Sequence, residues 1–116
     1  MGVDLVWQNE HGVPIERIGD PQMLLPTLMF NVPLNGYICL RFLDPYGDTY
    51  FNQYQIPVLL DELIKVRSTI TDDQFEYYRD KRHLVLTKIQ AHLDQVIELV
   101  RRSNGQIHTY LRFVGD

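Results

Sequence analysis

A long amphipathic segment that ends at a glycine and leads into a short alternating segment constrains the fold of this chain most. Apolar residues recur at helical spacing between positions 72 and 103, and they are Phe75, Tyr78, Leu86, Ile89, Leu93, Val96 and Val100. Thr71 and Gln74 have the spacing of a capping box, and Asn104-Gly105 is typical of a helix end. Residues 107–114 then alternate apolar and polar side chains. The pattern predicts a long helix over 72–103 followed by a C-terminal strand over 107–114.

The other segments favour short strands, turns and one shorter helix. Alternation of apolar and polar residues predicts strands over 3–8, 13–18, 37–43 and 49–54. Pro57 suits the first turn of a helix over 57–68. Prolines interrupt the apolar residues of 21–36, so we expect a packed irregular connection there with a single helical turn.

These elements predict an α+β fold in a single domain over residues 1–116. A division of 116 residues into two domains would leave each near the size at which one core becomes marginal. Successive hairpins favour an antiparallel sheet of about four to five strands, because parallel strands need a crossover between them. We expect the long helix to cover one face of this sheet, with the shorter helix beside it. The second face is then open to solvent and shallow.

The charge of the chain restricts the classes of partner. The formal net charge is -4 and the pI is about 5.5. Binding to a phosphate backbone depends on many lysine and arginine contacts, so a nucleic-acid partner is not expected. The sequence has no apolar stretch long enough to span a bilayer and no secretory signal at its start. We therefore expect a cytoplasmic protein without a membrane partner.

Residues that often carry chemistry are scattered along the chain. His83 and His92 lie on opposite sides of the predicted helix, which does not favour a metal site. Cys39 is the single cysteine and stands in an apolar run, where a buried small side chain is the usual outcome. Nucleophile-elbow, phosphate-loop and zinc-protease motifs are absent from the sequence. We expect no metal, no cofactor and no catalytic residue, and thus a protein that is not an enzyme.

The favoured functional hypothesis is a protein-binding module. Glu76 and Asp80 are like charges one turn apart on the predicted helix, an unfavourable pair, and the helix dipole stabilises Asp80 less than Asp72 and Asp73. Asp44, Tyr46 and Asp48 stand in a predicted turn, and tyrosine with aspartate suits contact with a basic protein. Small acidic bacterial inhibitors of toxins, such as immunity proteins and antitoxins, have this general size and charge. We therefore predict a basic protein partner for Asp44, Tyr46, Asp48, Glu76 and Asp80.

A different hypothesis assigns a small anionic ligand, or an enzymatic site, to the last strand. His108, Tyr110 and Arg112 alternate there and project from one face, and Arg41 is predicted to lie on the same face. The hypothesis requires these four side chains to line one concave pocket.

A further alternative is a structural homodimer. The apolar residues of 23–30 are suited either to the core or to an interface between two copies. The sequence alone does not decide between these two uses.

Overall fold

The computed structural model describes residues 2–115 and shows a four-stranded sheet with three α-helices. The strands are β1 (Asp4–Asn9), β2 (Pro14–Ile18), β3 (Asp48–Phe51) and β4 (Thr109–Val114), and the helices are α1 (Leu24–Asn31), α2 (Ile56–Thr69) and α3 (Arg82–Ser103). Two 3-10 segments span Leu40–Phe42 and Asp72–Lys81. The strand order is β2-β1-β4-β3, and all neighbouring strands are antiparallel. The predicted α+β fold with an antiparallel sheet is confirmed.

The hydrophobic core lies between the sheet and α3. Alternate residues of the strands are buried on the inner face of the sheet, among them Leu5, Phe51, Leu111 and Phe113. Of the seven apolar residues predicted to form the core side of the long helix, six are buried and Tyr78 is partly buried against them. Helices α1 and α2 pack against α3 and close the core.

Helix α3 is longer than the strands that it covers. Its 22 residues span about 33 Å, whereas a six-residue strand spans about 20 Å. The molecule is accordingly elongated, with extents of 45 × 24 × 21 Å. Across residues 2–115, helices that combine the length and the apolar character needed to cross a membrane are not found.

The predicted helical region over 72–103 is present, but its first part is a 3-10 segment. Phe75 and Arg79 have non-helical backbone angles within Asp72–Lys81, and regular α-helix begins at Arg82. The capping interaction is found as predicted, since the Gln74 side chain accepts a hydrogen bond from the Thr71 N–H at 3.0 Å. Residues 76–83 are mostly charged, so a regular helix there would bury little apolar surface. The irregular backbone instead turns Phe75 into the core, where it is fully buried.

The predicted strand over 37–43 is wrong. This segment forms bends and the 3-10 turn Leu40–Phe42, and β3 pairs with β4 instead of with it. Its alternation does not mark one buried face, because Ile38 and Phe42 are exposed while Cys39 and Leu40 are buried. A carboxylate of α2, described below, takes up the amide groups that a strand partner would have used.

The connection over 21–36 is more regular than predicted. It contains the eight-residue helix α1 rather than a single turn. Pro26 lies in the first turn of α1, where a missing N–H costs little. Leu25 and Leu28 of this helix are buried in the core, whereas Phe30 is exposed.

Candidate functional site

The face of the sheet that points away from α3 is the candidate site, and we call it the outer face. The outer face is formed by the strand side chains that point away from the core, because successive side chains of a strand point to opposite faces of the sheet. The cross-strand register places them side by side, and they are Asp4, Val6, Gln8, Arg17, Asp48, Tyr50, Tyr110, Arg112 and Val114. Among the described residues, α3 packs on the sheet and α1 and α2 pack on α3, and solvent reaches the outer face at Arg17, Tyr50 and Tyr110.

Arg112 lies on this face between its neighbours on β1 and β3. Its guanidinium donates two hydrogen bonds to Asp48 Oδ2, at 3.0 and 2.7 Å, and lies 5.7 Å from the centre of the Tyr50 ring. The hydrogen bond to Asp48 raises the pKa of Arg112 above its ordinary value. The Asp48 carboxylate fixes the orientation of the Arg112 guanidinium and balances its positive charge. The pair therefore attracts a free anion less than an unpaired arginine would.

Val6 and Gln8 are buried although they belong to the open face. Val6 is flanked in the register by Arg17 and Arg112, whose long side chains have apolar stems. Arg17 is itself held by Asp4, with 2.8 Å between Nη2 and Oδ2. Tyr50 and Tyr110 remain exposed beside these groups. The outer face is thus a shallow surface of aromatic rings and paired charges.

The turn that carries Asp44 and Tyr46 adjoins one end of this face. Asp44 Oδ1 accepts a hydrogen bond from the Tyr46 N–H at 2.8 Å, which is the turn geometry predicted from the sequence. The Gly115 N–H donates to the Gly47 carbonyl at 2.9 Å and so ties the turn to the end of β4. Tyr46 is 69% exposed. The structure therefore places Tyr46 and Asp48, from the protein-binding hypothesis, beside the strand that carries Tyr110 and Arg112, from the anionic-ligand hypothesis.

The four residues proposed for an anionic ligand lie on different elements, with Tyr110 and Arg112 in β4 and the other two outside the sheet. Arg41 belongs to the 3-10 turn over 40–42, where its guanidinium lies 4.9 Å from the centre of the Phe42 ring. His108 lies before β4 with a positive φ of 63°, and its Nδ1 is 3.0 Å from Glu10 Oε2. Arg41 was placed on the sheet only because 37–43 was predicted to be a strand.

Glu76 and Asp80 are exposed in the 3-10 segment over 72–81. They line a shallow depression together with Asp72, Arg79, Arg82 and His83. The segment packs mainly against α3. The two carboxylates therefore have cationic neighbours, and they belong to a different element from the turn that carries Asp44.

Two carboxylates with important roles were missed from the sequence. Glu62 of α2 accepts hydrogen bonds from the backbone N–H groups of Ile38 at 2.6 Å, Cys39 at 2.8 Å and Leu40 at 3.1 Å. Burial, with a smaller contribution from the charge of Glu62, raises the pKa of the Cys39 thiol. Asp20 has a comparable role before α1, and its position between Gly19 and Pro21 was the available signal.

In the part of the chain that the structure describes, groups of three or more His, Cys, Asp or Glu side chains suited to a metal ion are not found. Comparisons with protein-family models, with curated proteins and with solved structures give no match to this chain.

Proposed function

We propose that this protein is a non-enzymatic protein-binding module whose partner docks on the outer face of the sheet. The observation that carries the proposal is that the described helices lie on the inner side, while Tyr50 and Tyr110 stay exposed on the opposite face. Tyrosine and arginine are enriched at protein interfaces, because they combine a large apolar area with a polar group.

Side chains of the outer face are already held in fixed positions, which supports a role in binding a partner protein. Arg112 is held by Asp48 and by the Tyr50 ring, and Arg17 is held by Asp4. Side chains that are already fixed lose less conformational entropy when a partner binds. Paired charges also leave few groups that would be buried without a counter-ion.

The size of the face indicates how far the contact extends. A sheet of four strands with up to six residues each presents roughly 20 Å in each direction, or about 400 Å². A standard interface buries about 800 Å² on each partner. We therefore include the adjoining turn with Asp44 and Tyr46 in the proposed contact surface.

We propose that the partner is a positively charged protein, as expected for an inhibitor of a basic toxin. The net charge of -4 favours the approach of such a partner through long-range attraction. At the contact itself, the Asp44 carboxylate lies in the exposed turn that also carries Tyr46. The positive charge of the partner is inferred from the charge of this protein, because the geometry of the outer face alone does not require a basic partner.

Affinity capture with the tagged protein, followed by calorimetry with the purified partner, tests the docking surface. We expect Tyr50→Ala and Tyr110→Ala each to raise the Kd by about tenfold or more, because truncation of a buried interface tyrosine removes a large contact. Tyr77→Ala is the matched control, since Tyr77 is 82% exposed on the 3-10 segment over 72–81.

The Tyr77 variant should bind with the wild-type Kd. Wild-type affinity for both sheet variants would remove the outer face as the docking site. Failure to capture any specific partner would contradict the binding function itself.

A further inference from the structure

The Asp20 carboxylate joins two separate parts of the chain. It accepts hydrogen bonds from the backbone N–H groups of Leu24 at 2.7 Å and Leu25 at 3.0 Å, at the N-terminus of α1. It also accepts one from the Val3 N–H at 3.1 Å, just before β1. The side chain is 0% exposed, so these three amides provide its stabilisation in place of water.

His92 of α3 lies next to this carboxylate without bonding to it. The distance from His92 Nε2 to Asp20 Oδ1 is 3.9 Å, which is too long for a hydrogen bond. The imidazole is buried, and the Asp20 carboxylate beside it binds the first amides of α1, which packs on α3. A histidine in this position can change charge at mildly acidic pH inside the core.

The charged groups around His92 come from several elements. Asp20 lies before α1, and Asp4 of β1 accepts a hydrogen bond from the Asp20 N–H at 2.9 Å. Arg17 of β2 is bound to Asp4, and Lys88 lies one turn earlier on α3. Helix α1 has no titratable side chain, and Arg67 of α2 is bound to Asp94. A positive charge on His92 would therefore interact mainly with the carboxylates of Asp20 and Asp4.

We propose that Asp20 and His92 form a pH-sensitive latch, which holds Val3 and the N-terminus of α1 against α3 at neutral pH and loosens them in mildly acidic solution. A proton on His92 creates a positive charge in a buried position. That charge regains contact with water when α1 moves away from α3. The three hydrogen bonds from backbone N–H groups to the Asp20 carboxylate are the contacts that break when α1 moves away.

The direction of the pH effect follows from the environment of His92. Burial lowers the pKa of His92 below its ordinary value, and the charges of Asp20 and Asp4 oppose this shift without cancelling it. In the open state His92 returns toward an unfolded-chain pKa of about 6.5. The open state therefore binds more protons, so the latch is fully closed above about pH 6.5 and weakens as the pH falls toward the lower value.

Hydrogen exchange of individual amides tests the latch. Between about pH 7.5 and about pH 5.5, we expect the protection factors of Val3, Leu24 and Leu25 to fall, by up to about tenfold, because about pH 5.5 lies one unit below the open-state pKa of His92 and each unit corresponds to at most a factor of ten. The amides of Leu93 and Val96 should keep their protection, because they lie within α3. In His92→Gln, which stays neutral, the fall should disappear.

His83→Gln is the matched control, because His83 is an exposed histidine on the same helix. It should retain the wild-type pH response. An equal response in wild type and His92→Gln would overturn the latch, as would an equal loss of protection at every amide. If His92→Gln does not fold, a titration of the His92 ring signals by NMR decides, and a pKa at or above about 6.5 in the folded protein would reject the proposal.

Discussion

At the scale of single residues, two carboxylates fasten loop backbone to helices. Asp20 binds amides at Val3 and at the start of α1, and Glu62 binds three consecutive amides over 38–40. In each case a carboxylate accepts the hydrogen bonds of backbone N–H groups that have no backbone carbonyl as acceptor. Glu62 thereby fixes the segment that the sequence predicted to be a strand.

Replacement of Glu62 by alanine tests this fastening. We expect Glu62→Ala to lower the free energy of unfolding by about 1 to 3 kcal/mol, because it leaves partly buried amides at Cys39 and Leu40 without an acceptor. Urea denaturation gives the value. Asp61→Ala, at the exposed neighbouring position of α2, should change stability by less than about 0.5 kcal/mol. Equal stability of the two variants would show that water replaces Glu62 without cost.

At the scale of elements, α3 organises the molecule. It covers the inner face of the sheet, and α1 and α2 both pack against it. Its end is fixed as well as its face: α3 ends at Ser103, and Gly105 follows with φ of 85°. The Gln53 side chain then donates to the Ser103 carbonyl at 3.1 Å and accepts from the Gly105 N–H at 2.9 Å. This contact fixes the direction in which the chain enters β4.

The packing of α3 gives a direct test of the core. Leu93 is 0% exposed, so we expect Leu93→Ala to cost about 2 to 5 kcal/mol in the free energy of unfolding. Leu84→Ala serves as the control, because Leu84 is 53% exposed on the same helix. Thermal and urea denaturation measure both variants. A loss below about 0.5 kcal/mol for Leu93→Ala would contradict the assigned core face.

At the scale of the whole molecule, charge and shape are distributed unevenly. The carboxylates of the two acidic groups lie on different elements, with Asp44 beside the sheet and with Glu76 and Asp80 in the 3-10 segment over 72–81. The net charge of -4 acts over longer distances than either group alone. Long-range attraction governs the rate of association more than the lifetime of a complex.

The proposed basic partner leads to a prediction about salt and charge reversal. Raising the salt concentration from about 0.05 to about 0.5 M should slow association, because screening shortens the range of attraction. Asp44→Lys should slow it further at low salt, and the double variant Glu76→Lys, Asp80→Lys shows whether the second acidic group takes part. Surface plasmon resonance with the captured partner measures the rates. Association that does not respond to salt would contradict the positively charged partner.

The sequence by itself determined the elements whose signals are local. The period of α3, the capping residues Thr71 and Gln74, the Asp44 turn and the stop at Gly105 all depend on neighbours within a few residues, and each is found. Hairpin β1–β2 and helix α2 were predicted for the same reason. The outer-face residues Tyr50, Tyr110 and Arg112 were assigned to strands and Asp48 to the turn before one of them, but the sequence did not place the four on one shared surface.

Only the tertiary structure decided what depends on contacts between distant positions. Residues 37–43 alternate like a strand, but Glu62, more than twenty positions away, binds their amides and Phe51 takes the place beside Leu111. The pairing of β3 with β4 brings Asp48 to Arg112 across 64 positions of sequence. The burial of His92 beside Asp20 likewise requires α1 to dock on α3. Local periodicity and capping residues depend on near neighbours in the chain and therefore predict individual elements, whereas the partner of each element is set by the packing of the complete chain.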